Sequence, residues 1–309
     1  MSTVKSYFSL VKFSHTIFAM PFALIGFSLG LHSILYGTGQ WNLNKTVGWN
    51  YDLAYPASRL EVLVRLLLVI GCMVFARSAA MGFNRWLDAK FDALNPRTAI
   101  REIPAGIISK DSALRFVIFN CLAFIVCTWF INPLCFALSF VALAVVLGYS
   151  YTKRFTPLCH LVLGLGLSLA PIGAYLAVTG HFALLPILFS LTVICWVSGF
   201  DIIYALQDVD FDRSQRLYSM PSWLGKGKAL HVSEFLHLLS TTFVVLAGLY
   251  GRFGWWYWVG VAIFIGMLIY QHRIVKPNDL SRVNLAFMTA NGIASVVFAS
   301  FVITDIFLK

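Results

Sequence analysis

Nine apolar runs, each 17 to 24 residues long, take up most of this 309-residue chain. They cover about 13–36, 61–84, 114–131, 133–149, 159–179, 182–205, 232–250, 254–272 and 285–307. A helix needs about 20 apolar residues to cross the hydrocarbon core and a barrel strand only about 10, so these lengths specify helices. Runs three and four are separated by Asn132-Pro133 alone, which predicts a tight helical hairpin. Only 12% of residues are charged, about half the roughly 25% of soluble domains. That deficit excludes a soluble enzyme, a disordered chain and a disulfide scaffold. The expected class is an all-α polytopic membrane protein with nine transmembrane helices.

The net charge of +10 reads as a topology signal, because basic residues collect in cytoplasmic loops; no nucleic-acid partner is expected. With the N-terminus cytoplasmic, 17 Lys and Arg fall on that side and four (Lys45, Arg59, Arg252, Lys309) on the other, with Arg65 and Arg77 inside the second run. The first run starts near Phe13 without a small-residue cleavage pattern, so it is expected to remain as a helix. The six cysteines lack CxxC spacing and read as small buried hydrophobes. Trp41, Trp49, Tyr51, Tyr55 and Trp255-Trp256-Tyr257-Trp258 read as interfacial anchors. Phe18 and Phe22 read as packing residues, and His15 and Asn291 as interhelical hydrogen-bonding groups.

Acids are scarce, and they crowd two places. Asn84, Asp88 and Asp92 recur at i, i+4 and i+8, one helical stripe. Asp201, Tyr204, Asp208 and Asp212 form a second stripe, from which Asp210 points away toward solvent. Like charges four residues apart repel, and a helix C-terminus disfavours them further, so a cation must compensate. Oxygen-only ligands suit Mg²⁺. Runs two and six both descend to the cytoplasmic side, so the two stripes end at matched depth. One such stripe reads equally as a solvated helix end; two at matched depth point to a shared site. Arg97, Arg101, Lys153, Arg154, Arg213 and Arg216 flank the same level, as topology signals or as holders of pyrophosphate oxygens. Arg101 and Lys153 lead, because Lys153 follows Tyr149 by one turn and both can face inward. Arg77 lies two turns before Asn84, within the run, and needs an anion: either an acceptor carboxylate or Asp201.

These residues resemble the signatures of the UbiA superfamily of intramembrane prenyltransferases. Asn84-xxx-Asp88-xxx-Asp92 followed by Asn95-Pro96-Arg97-Thr98 is similar to the first motif, and Asp201-xx-Tyr204-xxx-Asp208-xxx-Asp212 to the second. Residues 10–19 and Tyr151-Thr152-Lys153-Arg154-Phe155-Thr156 resemble the opening helix and the loop between spans four and five. The nearest subgroup is the 4-hydroxybenzoate polyprenyltransferases and their relatives in quinone biosynthesis. The resemblance implies one domain over 1–309, with nine helices around a central cavity. It implies Mg²⁺-dependent transfer of a prenyl chain from an allylic polyprenyl diphosphate to a small aromatic acceptor, in ubiquinone or menaquinone biosynthesis, within a bacterial inner membrane. Asp88, Asp92, Asp208 and Asp212 would hold Mg²⁺ and pyrophosphate, with Asn84, Asp201 and Tyr204 completing the polar floor. Arg101-Glu102-Ile103-Pro104-Ala105-Gly106 departs from the usual Arg-Pro-Leu-Pro-x-Gly and points toward another acceptor, such as a futalosine or naphthoate precursor. A divalent-cation transporter is the rival class; it would place its acids near mid-bilayer rather than among basic residues at one face.

Overall fold

The computed structural model describes residues 3–11, 18–36 and 58–308. The chain runs through α1 (Thr3–Leu10), α2 (Met20–Leu35), α3 (Arg59–Leu87), α4 (Ala89–Leu94), α5 (Lys110–Ile131), α6 (Pro133–Thr152) and α7 (Cys159–Thr179). It continues through α8 (Leu184–Ala205), α9 (Val209–Ser214), α10 (Met220–Leu224), α11 (Lys226–Tyr250), α12 (Trp255–Ile274) and α13 (Asn291–Leu308), the last preceded by a π-helical turn over Leu285–Ala290. No strand occurs among the described residues.

Each of the nine apolar runs contains a helix, and seven of these helices are long and apolar enough to cross a membrane. The exceptions are α2, with 16 residues, and α12, whose Trp and Tyr residues and polar Gln271-His272-Arg273 end lower its hydropathy. Trp41, Trp49, Tyr51, Tyr55 and His15 lie outside the described residues. Tyr257 departs from the anchor expectation: it is fully buried and donates to the Val244 carbonyl at 2.6 Å. Asn291 bridges helices as expected, its Oδ1 accepting from Trp196 Nε1 at 3.0 Å and Gln271 Nε2 at 2.8 Å.

Local chemistry sets the helix ends. Ser58 and Ser109 cap α3 and α5 by accepting from Glu61 and Ser112 backbone N–H groups. Asn132 makes the hairpin: its Oδ1 accepts from Cys135 N–H at 2.8 Å, Pro133 opens α6, and its Nδ2 donates to the Leu176 carbonyl at 2.9 Å. Arg65 donates to the Ala177 and Val178 carbonyls, serving the negative end of α7.

The densest core lies in the half built from α2, α7, α8, α12 and α13, where Phe22, Tyr175, Phe189, Trp196, Phe264 and Phe298 are buried together. Two close approaches set its geometry. A Cβ on Gly26 would sit 1.9 Å from the Pro171 carbonyl oxygen, so α2 presses on α7 only because this residue is glycine. A Cβ on Gly164 would meet Ile194 O and Ser198 Oγ, both at 2.5 Å, which locks α7 against α8. By contrast, α3, α5 and α6 wall off a largely apolar chamber of about 390 Å³.

Candidate active site

Both acidic stripes are interrupted. α3 ends at Leu87, Asp88 takes φ −89° and ψ 6°, and α4 starts afresh at Ala89. In the second motif α8 ends at Ala205, a 3₁₀ turn follows, and Asp208 takes φ −107° and ψ 6° before α9. Each motif thus places one Asp in the bridge region of backbone space at a helix junction. The single continuous helical faces expected from spacing are replaced by paired breaks. The breaks still bring the stripes to one cavity of about 280 Å³, lined by Asp88, Asp92, Asp201, Asp208 and Asp212. Asp210 stays exposed.

Five basic side chains (Arg77, Arg85, Arg97, Arg101 and Lys153) line the same cavity, and ion pairs supply the compensation the stripes require. Lys153 Nζ stands 3.2 Å from Asp88 Oδ2 and Arg154 Nη2 stands 3.3 Å from Asp88 Oδ1. Asn84 Nδ2 adds a bond to Asp88 at 3.3 Å. Arg101 Nη1 reaches Asp92 at 2.6 Å. Arg97 grips both oxygens of Asp208 through Nε and Nη2 and donates to Tyr204 Oη at 3.0 Å. Burial works against the Arg97 charge, but the Asp208 hydrogen bond and carboxylate outweigh it and raise its pKa. Asn95 Nδ2 also donates to Asp208 at 3.2 Å, tying the first motif's loop to the second motif. Asp212 accepts from Ser219 Oγ at 2.9 Å. Arg213 instead donates to the Ser222 carbonyl, and it is exposed, as is Arg216.

Arg77 forms no ion pair among the described residues, and its Nε is buried without a partner. The Asp201 alternative is corrected: Asp201 pairs with His160 Nδ1 at 2.7 Å. Tyr149, one turn before Lys153, lines the cavity beside Arg77. Arg77, Met81, Tyr149, Leu163 and Leu167 line both this cavity and the apolar chamber, so the two spaces share a wall at the Arg77 level.

Sequence reasoning missed His160 and Arg85, and gave Asn95 no role beyond its place in the first motif. His160 is a lone histidine at the start of an apolar run, a pattern with no distinctive spacing. Arg85 reads in the sequence as one more basic residue at the cytoplasmic end of a run; it is 5% exposed, its Nη1 stands 3.9 Å from Asp92 Oδ2, and its Nε and Nη1 lack hydrogen-bond partners.

The donor set fits Mg²⁺. The four motif aspartates offer only oxygen, and Asp92 Oδ2 is buried without a hydrogen-bond partner. Among the described residues no three acids, histidines or cysteines form a preassembled cluster. Mg²⁺ does not need one, since it is commonly held by one or two carboxylates, waters and phosphate oxygens.

A bundle of lipid-crossing helices with a charge-balanced cavity beside an apolar chamber defines an integral membrane protein shaped for a substrate with a charged head and an apolar tail. The UbiA prenyltransferase family profile matches residues 46–293. The chain belongs to this family, and it is a prenyltransferase enzyme. It is 30% identical to the 4-hydroxybenzoate octaprenyltransferase of Tolumonas auensis, over 76% of this chain and 82% of that one. It is also 30% identical to the Nitrosospira multiformis enzyme of the same name, over 79% and 83%. Among solved structures it resembles the apo UbiA homolog from Aeropyrum pernix, with TM-score 0.74, 28% identity and coverage of 95% and 97%. The fold also matches a UbiA homolog from Archaeoglobus fulgidus bound to DMAPP and Mg²⁺, with TM-score 0.72 at 18% identity over 98% and 100% of the chains.

Proposed function

We propose that this protein, working as one unit over 1–309, transfers a polyprenyl chain from an allylic diphosphate to a small aromatic acid in quinone biosynthesis. The observation that carries this reading is the shared wall of the two cavities: the diphosphate head fits the charged side and the chain fits the apolar side, with the reacting carbon between them. The named 4-hydroxybenzoate octaprenyltransferases support an acceptor of that kind. The Glu102 departure keeps a naphthoate- or futalosine-type acceptor as the alternative. Five cations among the acids disfavour a divalent-cation transporter, because a cation path would be repelled by them.

Asp88 and Asp92 with Asp208 and Asp212 would hold Mg²⁺, which when bound neutralises the departing diphosphate. The chain's own cations do the rest. Lys153, Arg101 and Arg97 rest on carboxylates, and their remaining N–H groups would hold phosphate oxygens. Arg85 offers unused donors at the same level. Leaving-group stabilisation lets the C–O bond ionise to an allylic cation, which the acceptor attacks through carbon. Arg77, about 10 Å further along α3 than Asn84, would bind the acceptor's carboxylate. Asp201, on α8 and lining the same cavity, would take the ring proton. The apolar chamber keeps water from the cation. The basic-residue asymmetry supports a cytoplasmic N-terminus, nine spans and a site facing the cytoplasm of a bacterial inner membrane.

The test is prenyl transfer in membranes, using labelled allylic diphosphates and a panel of aromatic acceptors, with and without Mg²⁺. Mg²⁺-dependent product is expected with an aromatic acid. No product with any acceptor would end this reading.

A further inference from the structure

His160 is buried, 3% exposed, and no step above uses it. Its hydrogen bonds fix its state. The Met220 backbone N–H can only donate, and it points at Nε2 from 3.3 Å, so Nε2 holds a lone pair. The ring's proton therefore sits on Nδ1, which donates to Asp201 Oδ2 at 2.7 Å. A donor in that position holds one Asp201 oxygen and so fixes the direction of the other. The helix below is equally fixed: Ser198 Oγ donates to the His160 carbonyl at 3.0 Å, and the Gly164 contact holds α7 against α8. The same short segment reaches the diphosphate end, because Ser219, the residue before Met220, donates to Asp212.

We propose that His160 is a positioning residue: it holds Asp201 in one orientation, so that the free carboxylate oxygen faces the acceptor. This deepens the transferase reading and rests on it. In the step concerned, the new C–C bond has formed and diphosphate has left the prenyl carbon. The ring C–H proton then passes to Asp201, and the C–H electron pair returns to the ring to restore aromaticity. His160 acts in this step only through Asp201.

The test compares His160→Leu, which removes both hydrogen bonds, with His160→Gln, whose amide offers one donor and one acceptor without charge. His160→Leu is expected to lower kcat about 100-fold, the scale of a displaced general base, with KM for the allylic diphosphate unchanged within about twofold. His160→Gln is expected to recover most of the loss. An acceptor deuterated at the alkylated ring position is expected to show no isotope effect in the wild type and a primary one in His160→Leu, because proton removal has become slow. Equal isotope effects in both, or Gln no better than Leu, overturn the proposal. Infrared spectra give a readout without turnover. Using Asp201→Asn to assign the signal, the Asp201 carboxyl stretch should shift in His160→Leu, where its hydrogen bond is lost, and stay near its wild-type position in His160→Gln. An unshifted band in His160→Leu overturns the proposal. The infrared result stands even if the wild type prenylates no aromatic acceptor, which would instead refute the transferase reading.

Discussion

Replacing Arg77 by Met should make the protein more stable and less active. Arg77 Nε is buried without a hydrogen-bond partner, and an unsatisfied buried donor costs about 1–3 kcal/mol. Met fills similar length with no polar atom and removes that cost. Each kcal/mol is worth roughly 2–4 °C in a chain of this size, so Tm should rise by about 2–12 °C. Catalysis should move the other way. Truncating one partner of a buried charge pair costs about 2–5 kcal/mol, which lowers kcat/KM for an acid acceptor about 30- to 4,000-fold. A decarboxylated acceptor never had that pair and should lose less than about fivefold by the same arithmetic. The assay is purified protein in nanodiscs, with thermal unfolding followed by tryptophan fluorescence and initial rates measured for both acceptors. A lowered Tm would mean that Arg77 serves the fold. Equal losses with both acceptors would refute its carboxylate-reading role.

Other perturbations follow from the site and the core. Asp88→Ala and Asp208→Ala should each cut turnover at least about 10³-fold by removing a charge-binding group, while exposed Asp210→Asn stays within about twofold of wild type; radiolabel transfer with a folding check by size-exclusion chromatography reads both. Arg97→Lys should behave as a loss rather than a conservative change, because one ammonium cannot reproduce the two-oxygen grip on Asp208 together with the Tyr204 bond; a KM for allylic diphosphate equal to wild type would contradict this. Chelation with EDTA should abolish activity and added Mg²⁺ restore it, while the thermal melt of the ligand-free protein shifts little. Gly26→Ala forces a Cβ to 1.9 Å from the Pro171 carbonyl; overpacking typically costs about 1–3 kcal/mol and more against rigid backbone, so Tm and the yield of folded protein should fall.

Much of the helical framework was legible because its cause is local. Run length specifies a span, Asn132-Pro133 specifies a hairpin, and both depend on residues adjacent in sequence. The gathering of the two motifs was also readable from spacing and direction. The helix breaks at Asp88 and Asp208 were not, because i, i+4 spacing is satisfied by a continuous helix and by two short ones meeting at a bridge-region residue. Arg77's partner was undecidable between a substrate and Asp201, since both choices satisfy its charge equally well.

The amino-acid sequence alone determined the solvent this chain lives in, the number of its apolar runs and the oxygen-rich chemistry of its site, since hydropathy and residue type are properties of the residues themselves. Only the tertiary structure decided which cation rests on which carboxylate, and that His160 and the Met220 amide hold Asp201. The His160–Asp201 pairing depends on how closely α7 and α8 approach, which a contact at Gly164 sets across some 30 residues of chain. A short-range hydrogen bond between distant residues exists only once packing has brought them within about 3 Å.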